Sequence, residues 1–239
     1  MTTQAEPPVL RLTGVNAGYG TTAVLRHVSF SVRAGEAVAV LGANGAGKTT
    51  LLRVASGLIT ATSGAVFLGG AEATGQPPHW RARHGLCHVP EGRGIFRSLT
   101  VGENLRLQAP RSRRAGVIDD AVSIFPQLAG RLRATAGNLS GGQQQMLALA
   151  RAFVAEPAVI LIDELSMGLA PIVVDEMFAA LTRLVAQGIA TVIVEQHASR
   201  ALAIADSAVL LRRGEVSYAG PAAAVGDDRL LRDYLGMPA

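Results

Sequence analysis

The sequence predicts an α/β protein: a three-layer core on a mostly parallel sheet, with an N-terminal antiparallel β subdomain and an inserted helical subdomain. Three observations carry that expectation. Short unbroken apolar runs, AVAVL (Ala37 to Leu41), AVILI (Ala158 to Ile162) and TVIV (Thr191 to Val194), suit strands covered on both faces. Stretches of helical periodicity alternate with them, as crossovers between parallel strands require. A long helical pattern, from Ile95 to about Ala155, interrupts the alternation. The 239 residues are expected to form one domain, with about 9–95 and 156–239 as β subdomain plus core and about 96–155 as the helical insertion.

Taken in order, Val9 to Val32 reads as short strands, VLRL and VLRHVSFSV, joined by a turn at NAGYGTT. AVAVL follows as a buried strand, Gly42 to Gly47 as a glycine-rich turn, and KTTLLRVASGL as a helix ending near Gly57. SGAVFLGG reads as a hairpin strand, PPHWRARHG as a short helix and GLCHVP as a strand. The helical stretch has loops at PRSRRAG and ATAGNLSGG. Strand (VILI), helix (Ile172 to Gln187), strand (ATVIV) and helix (Ala198 to Ala205) then resume. Short strands around AVLLRR and EVSYAG and a helix near Asp228 to Leu235 close the chain.

Composition narrows the function classes. With 49% hydrophobic and 17% charged residues the chain can bury a sizeable core. No run approaches the roughly 18–20 apolar residues of a spanning helix. MTTQAEPPVL has neither a basic start nor an apolar h-region, so no secretory signal is expected. A single cysteine, Cys87, excludes an internal disulfide and fits the cytosol, and the five histidines show no zinc-ligand spacing. The net charge of +4 is compatible with nucleic acid or anionic lipid, but a solvated arginine-rich surface is the plainer reading.

Of the 22 lysines and arginines only Lys48 is lysine. It lies in Gly42-Ala43-Asn44-Gly45-Ala46-Gly47-Lys48-Thr49, a G-x-x-x-x-G-K-[ST] phosphate loop between an expected strand and an expected helix. Small residues let backbone N–H groups close around phosphate oxygens, and the next helix offers its positive end. A compact ammonium reaches the β- and γ-phosphates there, whereas a planar guanidinium is too wide. Thr49 is placed to put its hydroxyl on Mg²⁺, and Thr50 extends the contact. At the carboxyl end of VILIDE, Asp163 can hold Mg²⁺ and Glu164 can orient or deprotonate the attacking water; read alone, the pair would also serve as a helix cap. LSGGQ, Leu139 to Gln143, opens a helix at which Ser140, Gly141, Gly142 and Gln143 form a second nest of donors, or an ordinary serine cap.

Together GANGAGKTT, LSGGQ and VILIDE resemble the ATP-binding cassette of ABC transporters, a P-loop NTPase fold, over essentially the whole chain. The resemblance implies that two cassettes pair head to tail, that the signature of one closes over ATP held by the other, and that Tyr19 in NAGYG stacks on adenine. VPEGRGIFRSLTVGENL, FPQLAGRL, LSGGQQQMLALARA, SMGLAP and VEQHASRALAIAD are similar to the shorter ATP-binding subunit of the branched-chain amino acid importer. That likeness implies a peripheral ATPase at the cytoplasmic face of the membrane. Its partners would be two membrane permease subunits, a sister cassette and a solute-binding protein, with ATP and Mg²⁺ as ligands and no nucleic acid.

Four positions depart from the usual cassette. Glu91 stands where glutamine is common; it favours the amino-acid importer over a urea importer and can still reach Mg²⁺ through water. Counting back ten residues from Asp206, the cassette's histidine position falls on Gln196, which can hydrogen-bond the γ-phosphate without titrating, with His197 beside it. Ala170 replaces a usual aspartate and Leu165 a usual proline. Two readings from other classes compete. One is a nucleic-acid-associated cassette ATPase, for which Arg111, Arg113 and Arg114 form a basic cluster; the other is a non-hydrolysing structural subunit, for which Gln196 and Ala170 speak. Phe96 and Leu99, within Glu91 to Leu105, are candidates for docking the membrane subunit, or for core packing.

Overall fold

The computed structural model describes residues 7–110, 114–195 and 198–225. The expected terminal helix, Gln196, His197, Arg111 and Arg113 lie outside the described residues.

Two sheets form. Strands β1 (Leu10–Tyr19), β2 (Thr22–Val32), β4 (Ser63–Leu68) and β5 (Ala71–Glu72) make a four-stranded antiparallel sheet in the order β2-β1-β4-β5. The six-stranded sheet runs β10-β9-β3-β8-β7-β6, from β3 (Ala37–Leu41), β6 (Leu86–Val89), β7 (Val159–Asp163), β8 (Ala190–Val194), β9 (Ser207–Arg212) and β10 (Glu215–Pro221). Every pairing in it is parallel except β9 with β10, which is antiparallel at one edge. This is the α/β architecture expected from the sequence, with its antiparallel N-terminal sheet.

Alternation along the central strands explains why they read as unbroken apolar runs. Val38 and Val40 of β3, Val159 and Leu161 of β7, and Val192 and Val194 of β8 enter one core, shared with β1, β2, β4 and helix α1 (Lys48–Ala55). Ala39, Leu41, Ile160, Ile162 and Ile193 enter the other, beneath α3 (Val101–Gln108), α4 (Val117–Ile124), α5 (Gly141–Val154), α6 (Pro171–Ala186) and α7 (Ala198–Ile204). A strand wet on one face would need polar residues at every second place, whereas these carry only the buried Thr191 of β8 and Asp163 at the end of β7. Each fully buried valine, leucine or isoleucine contributes about 1.5–3 kcal/mol.

One boundary differs from the sequence reading. NAGYGTT is not a loop: β1 continues to Tyr19, which pairs with Thr22, and only Gly20 and Thr21 turn. The glycines mark irregularity within the strand instead, since the β1–β2 register shifts between Ala17 and Gly18. Tyr19 therefore sits at the rigid end of a hairpin.

Two devices fix the elements that matter for a ligand. Arg81, in α2 (Pro78–Arg83), is 1% exposed. Its guanidinium donates to the carbonyls of Val54 and Ala55 at the end of α1, to those of Ala73 and Thr74, and through Nε to Gln76. It thus occupies the Ala55 carbonyl, which a helix end otherwise leaves to water, and adds a second donor to the Val54 carbonyl, which already accepts from Gly57 N–H. In the β9–β10 turn, Gly214 N–H donates to the Ala46 carbonyl at 3.0 Å, and the Gly214 carbonyl accepts from Arg26 N–H of β2 at 2.8 Å. A single turn residue thereby ties the loop before α1 to the antiparallel sheet.

Candidate functional site

The loop between β3 and α1 owes its shape to small residues. Gly47, which precedes α1, has φ 107°, a conformation strained for any residue with a Cβ, and an added Cβ would meet Leu25 Cδ2 at 2.8 Å. At Gly42 a Cβ would lie 2.5 Å from the Leu211 carbonyl oxygen, so the loop can pass β9 only as glycine. The first turn of α1 then begins at Lys48 with no side chain capping it, which leaves its leading N–H groups for a ligand.

Lys48 is 5% exposed. Its ammonium folds back to the carbonyls of Gly42, at 2.8 Å, and Ala43, at 3.3 Å. Burial pulls its pKa below the ordinary lysine range, while the charges of Glu164, Asp163 and Glu195 hold it up. The ammonium is thus largely buried beside acids, and among the described residues its hydrogen-bond partners are two carbonyls.

Asp163, the last residue of β7, is 2% exposed and accepts a hydrogen bond from the Thr49 hydroxyl at 3.3 Å. Burial pushes its carboxyl above the usual carboxylate range; the Thr49 bond opposes this, and the charges of Glu164 and Glu91 add to the rise. A carboxylate whose pKa is raised by neighbouring acids is relieved by a cation. The donors present, a threonine hydroxyl and carboxylate oxygens, are the hard oxygen set Mg²⁺ prefers. Among the described residues no cluster of side chains forms a metal cage by itself, consistent with an ion that takes much of its shell from phosphate and water.

A cavity of about 470 Å³ is lined by Val24, Asn44, Gly45, Gly47, Lys48, Thr49, Thr50, Glu91 and Glu164. It joins the loop, the start of α1 and the Glu91 and Glu164 carboxylates, contributed by four separate stretches of chain, while Asp163 lies behind Thr49 and does not line it. Glu164 enters it from a left-handed backbone, φ 49°, with its N–H donating to the Val194 carbonyl at 2.9 Å. Gly42 and Ala46 shape the loop from behind: Gly42 through Lys48, and Ala46 through the Gly214 tether.

Two groups of candidates lie apart from that cavity. Tyr19 is 46% exposed, and its phenol oxygen accepts a hydrogen bond from Arg53 Nη1 of α1 at 3.0 Å, so its ring is held at the hairpin end yet remains accessible. Ser140, Gly141, Gly142 and Gln143 begin α5, and none of them lines it. Ser140 Oγ accepts from Gln143 N–H at 3.3 Å, and the Gln143 side chain accepts from Ser140 N–H at 3.2 Å, a closed capping box. Behind it Gln144, 4% exposed, donates to the carbonyls of Ala136, Gly137 and Leu139 and accepts from Arg93. If the second nest serves a phosphate, that phosphate is not the one held in this chain's cavity.

Of the two apolar docking candidates, Phe96 is 50% exposed, with the Arg151 guanidinium 4.8 Å from its ring centroid. Leu99 lines a separate cavity of about 360 Å³ with Glu103, Arg106, Leu107 and Arg114. Sequence reasoning missed Glu195, 2% exposed, whose carboxylate accepts from Ser166 N–H at 2.9 Å and from the Ser166 hydroxyl at 2.7 Å. The signal was available: TVIVE places an acid at the end of an apolar strand, as VILIDE does.

Comparison with known proteins adds a family and relatives. Residues 25–166 match the family described as ABC transporter. The chain is 39% identical to the high-affinity branched-chain amino acid transport ATP-binding protein BraG of Pseudomonas aeruginosa, over 93% of this chain and 97% of that one. It is also 39% identical to the probable branched-chain amino acid transport ATP-binding protein LivF of Archaeoglobus fulgidus, over 90% and 92%. A lipopolysaccharide export system ATP-binding protein, LptB of Acidithiobacillus ferridurans, is 35% identical over 91% and 92%. Among solved structures, the ADP conformation of MJ1267, an ATP-binding cassette of an ABC transporter, superposes with a TM-score of 0.82 at 25% identity, over 97% of this chain and 100% of that one.

Proposed function

This chain belongs to the ABC transporter family, as one of its ATPase subunits, and from that premise we propose that it couples ATP hydrolysis to uptake of branched-chain amino acids. Among the described residues no helix is long and apolar enough to cross a membrane. In this reading the solute path belongs to partners, two membrane permease subunits served by a solute-binding protein, and this chain pairs with a sister cassette on the cytoplasmic face. The observation that carries the reading is the single cavity in which Lys48, Thr49, Glu91 and Glu164 converge. The likeness to BraG and LivF supports the solute class.

In this reading the N–H groups of the loop from Gly42 through Gly47, and of Thr49 and Thr50 at the start of α1, wrap the phosphates, and Lys48 turns from its two carbonyls to the β- and γ-phosphate oxygens. Asn44, Gly45 and Ala46 give the loop its narrow bore. Thr49, Asp163 and, through water, Glu91 would hold Mg²⁺, which supplies neutralisation of charge developing on the phosphates. Glu164 accepts the proton of the attacking water, and Gln196 offers a hydrogen bond to the γ-phosphate. Tyr19 stacks on the adenine. Ser140, Gly141, Gly142 and Gln143 close over the nucleotide held by the sister cassette, which explains why they lie off this chain's own cavity. Residues about 96–155 then act as the unit that carries the signature, and about 9–95 with 156–239 as the unit that carries the nucleotide.

The test is ATPase of the transporter reconstituted in vesicles. Leucine, isoleucine or valine presented with the binding protein is expected to raise turnover, and Glu164→Gln to abolish turnover at this subunit's site. Stimulation by urea instead, or by none of these solutes, would reject the substrate assignment. Wild-type turnover in Glu164→Gln would reject the catalytic one.

A further inference from the structure

Glu164 holds a backbone conformation that a non-glycine residue keeps only where its surroundings enforce it, φ 49°. What enforces it comes from the end of β8. Before the Glu164 Cα, its N–H is fixed to the Val194 carbonyl at 2.9 Å. After it, Ser166 is held by the next residue, Glu195, through two bonds to one carboxylate: N–H to Oε1 at 2.9 Å and hydroxyl to Oε2 at 2.7 Å. Between the two grips Leu165 is 1% exposed and anchored in the core. Glu195 is itself 2% exposed, and a carboxylate so buried is retained only where donors satisfy both of its oxygens. Ser166 is that donor pair.

We infer that Glu195 is a positioning residue for the hydrolytic step: its carboxylate clamps Ser166 and so fixes the strained backbone that presents Glu164 to the nucleotide. The inference rests on the reading of Glu164 as the group that takes the water's proton. Glu195 touches neither water nor phosphate in this role. Its contribution is geometric, and an uncharged group of the same shape replaces most of it. A glutamine there still accepts from Ser166 N–H through Oε1, and its amide donates to Ser166 Oγ, which can accept.

The experiment measures turnover and MgATP affinity of the full-length chain in the assembled transporter, with Glu164→Gln as the zero for this subunit's site. Glu195→Ala is expected to lower kcat by about tenfold to a hundredfold with KM for MgATP within about twofold, the pattern of a displaced catalytic group. Glu195→Gln restores most of that loss. Ser166→Ala, which forfeits only the hydroxyl bond, falls between and carries the test should Glu195→Ala not fold. Ser166→Thr stays near wild type. Glu195→Gln as impaired as Glu195→Ala would mean that the negative charge itself acts, and would overturn the clamp. Ser166→Ala at wild-type turnover, or losses that appear in KM rather than kcat, would overturn it as well. If Glu164→Gln alone leaves turnover intact, the catalytic reading fails and takes the inference with it. If Glu164→Gln is dead while both Glu195 variants are normal, only the inference fails.

Discussion

At the scale of single residues, Lys48 and His88 show how burial makes a side chain's chemistry specific. Lys48 is buried and held by two loop carbonyls, so its environment suits a compact ammonium. Lys48→Arg should therefore weaken MgATP binding by about tenfold or more despite conserving charge, as read by titration calorimetry. His88 of β6 has a buried Nε2 with no hydrogen-bond partner among the described residues, and burial, helped by the Arg53 charge, pushes its pKa down to about 4. Its folded value lies below its unfolded value, so the unfolded chain takes up the proton first as pH falls. Stability should decline between about pH 6.5 and pH 4, by roughly 3 kcal/mol at most, and His88→Leu should flatten that limb in denaturant melts at stepped pH. That Lys48, Thr49, Asp163 and Glu164 lie close together was expected from the sequence, because a phosphate-loop reading dictates residue types at short spacing. Glu195 with Ser166 was not: the two are 29 positions apart and meet only because β7 and β8 are adjacent.

At the scale of elements, the buried strands and several helix starts were legible, but the strand order and the fastenings between elements were not. The apolar runs announced β3, β7 and β8, and Ser140 ahead of a helical run announced α5, whereas the capping box of Thr100 and Glu103 that starts α3 emerged only in the structure. Nothing local announces that Arg81 reaches from α2 to the end of α1, because its acceptors are backbone carbonyls, identical in every residue. Arg81→Met would leave the carbonyls of Val54, Ala55, Ala73 and Thr74 without those donors. The expected loss is about 3 kcal/mol or more. A scan should then show Tm lower by roughly 6–12 °C. Because α1 opens on the phosphate loop, the same variant should loosen nucleotide binding more than unfolding alone explains. Binding measured well below Tm separates the two. The misplaced turn at NAGYGTT has a similar cause: glycines usually punctuate, but here pairing of β1 with β2 and β4 overrode local preference.

At the scale of the whole molecule, two cores on either face of one sheet leave the candidate catalytic carboxylates at strand ends, where open α/β sheets place their ligands. The net charge of +4 creates no need for a polyanion. Added DNA or RNA should leave ATPase unchanged, and any stimulation that collapsed steeply with salt would revive the nucleic-acid reading. The Gly214 turn carries a last consequence. It bolts the phosphate loop to β2, and β2 forms a hairpin with β1, whose last residue, Tyr19, borders the turn. In the proposed reading, base contact and triphosphate contact are therefore two jaws of one caliper whose span is preset. A ligand with the right ends but a longer or shorter middle, such as a triphosphate tethered to its base through an extended spacer, can satisfy either jaw but never both.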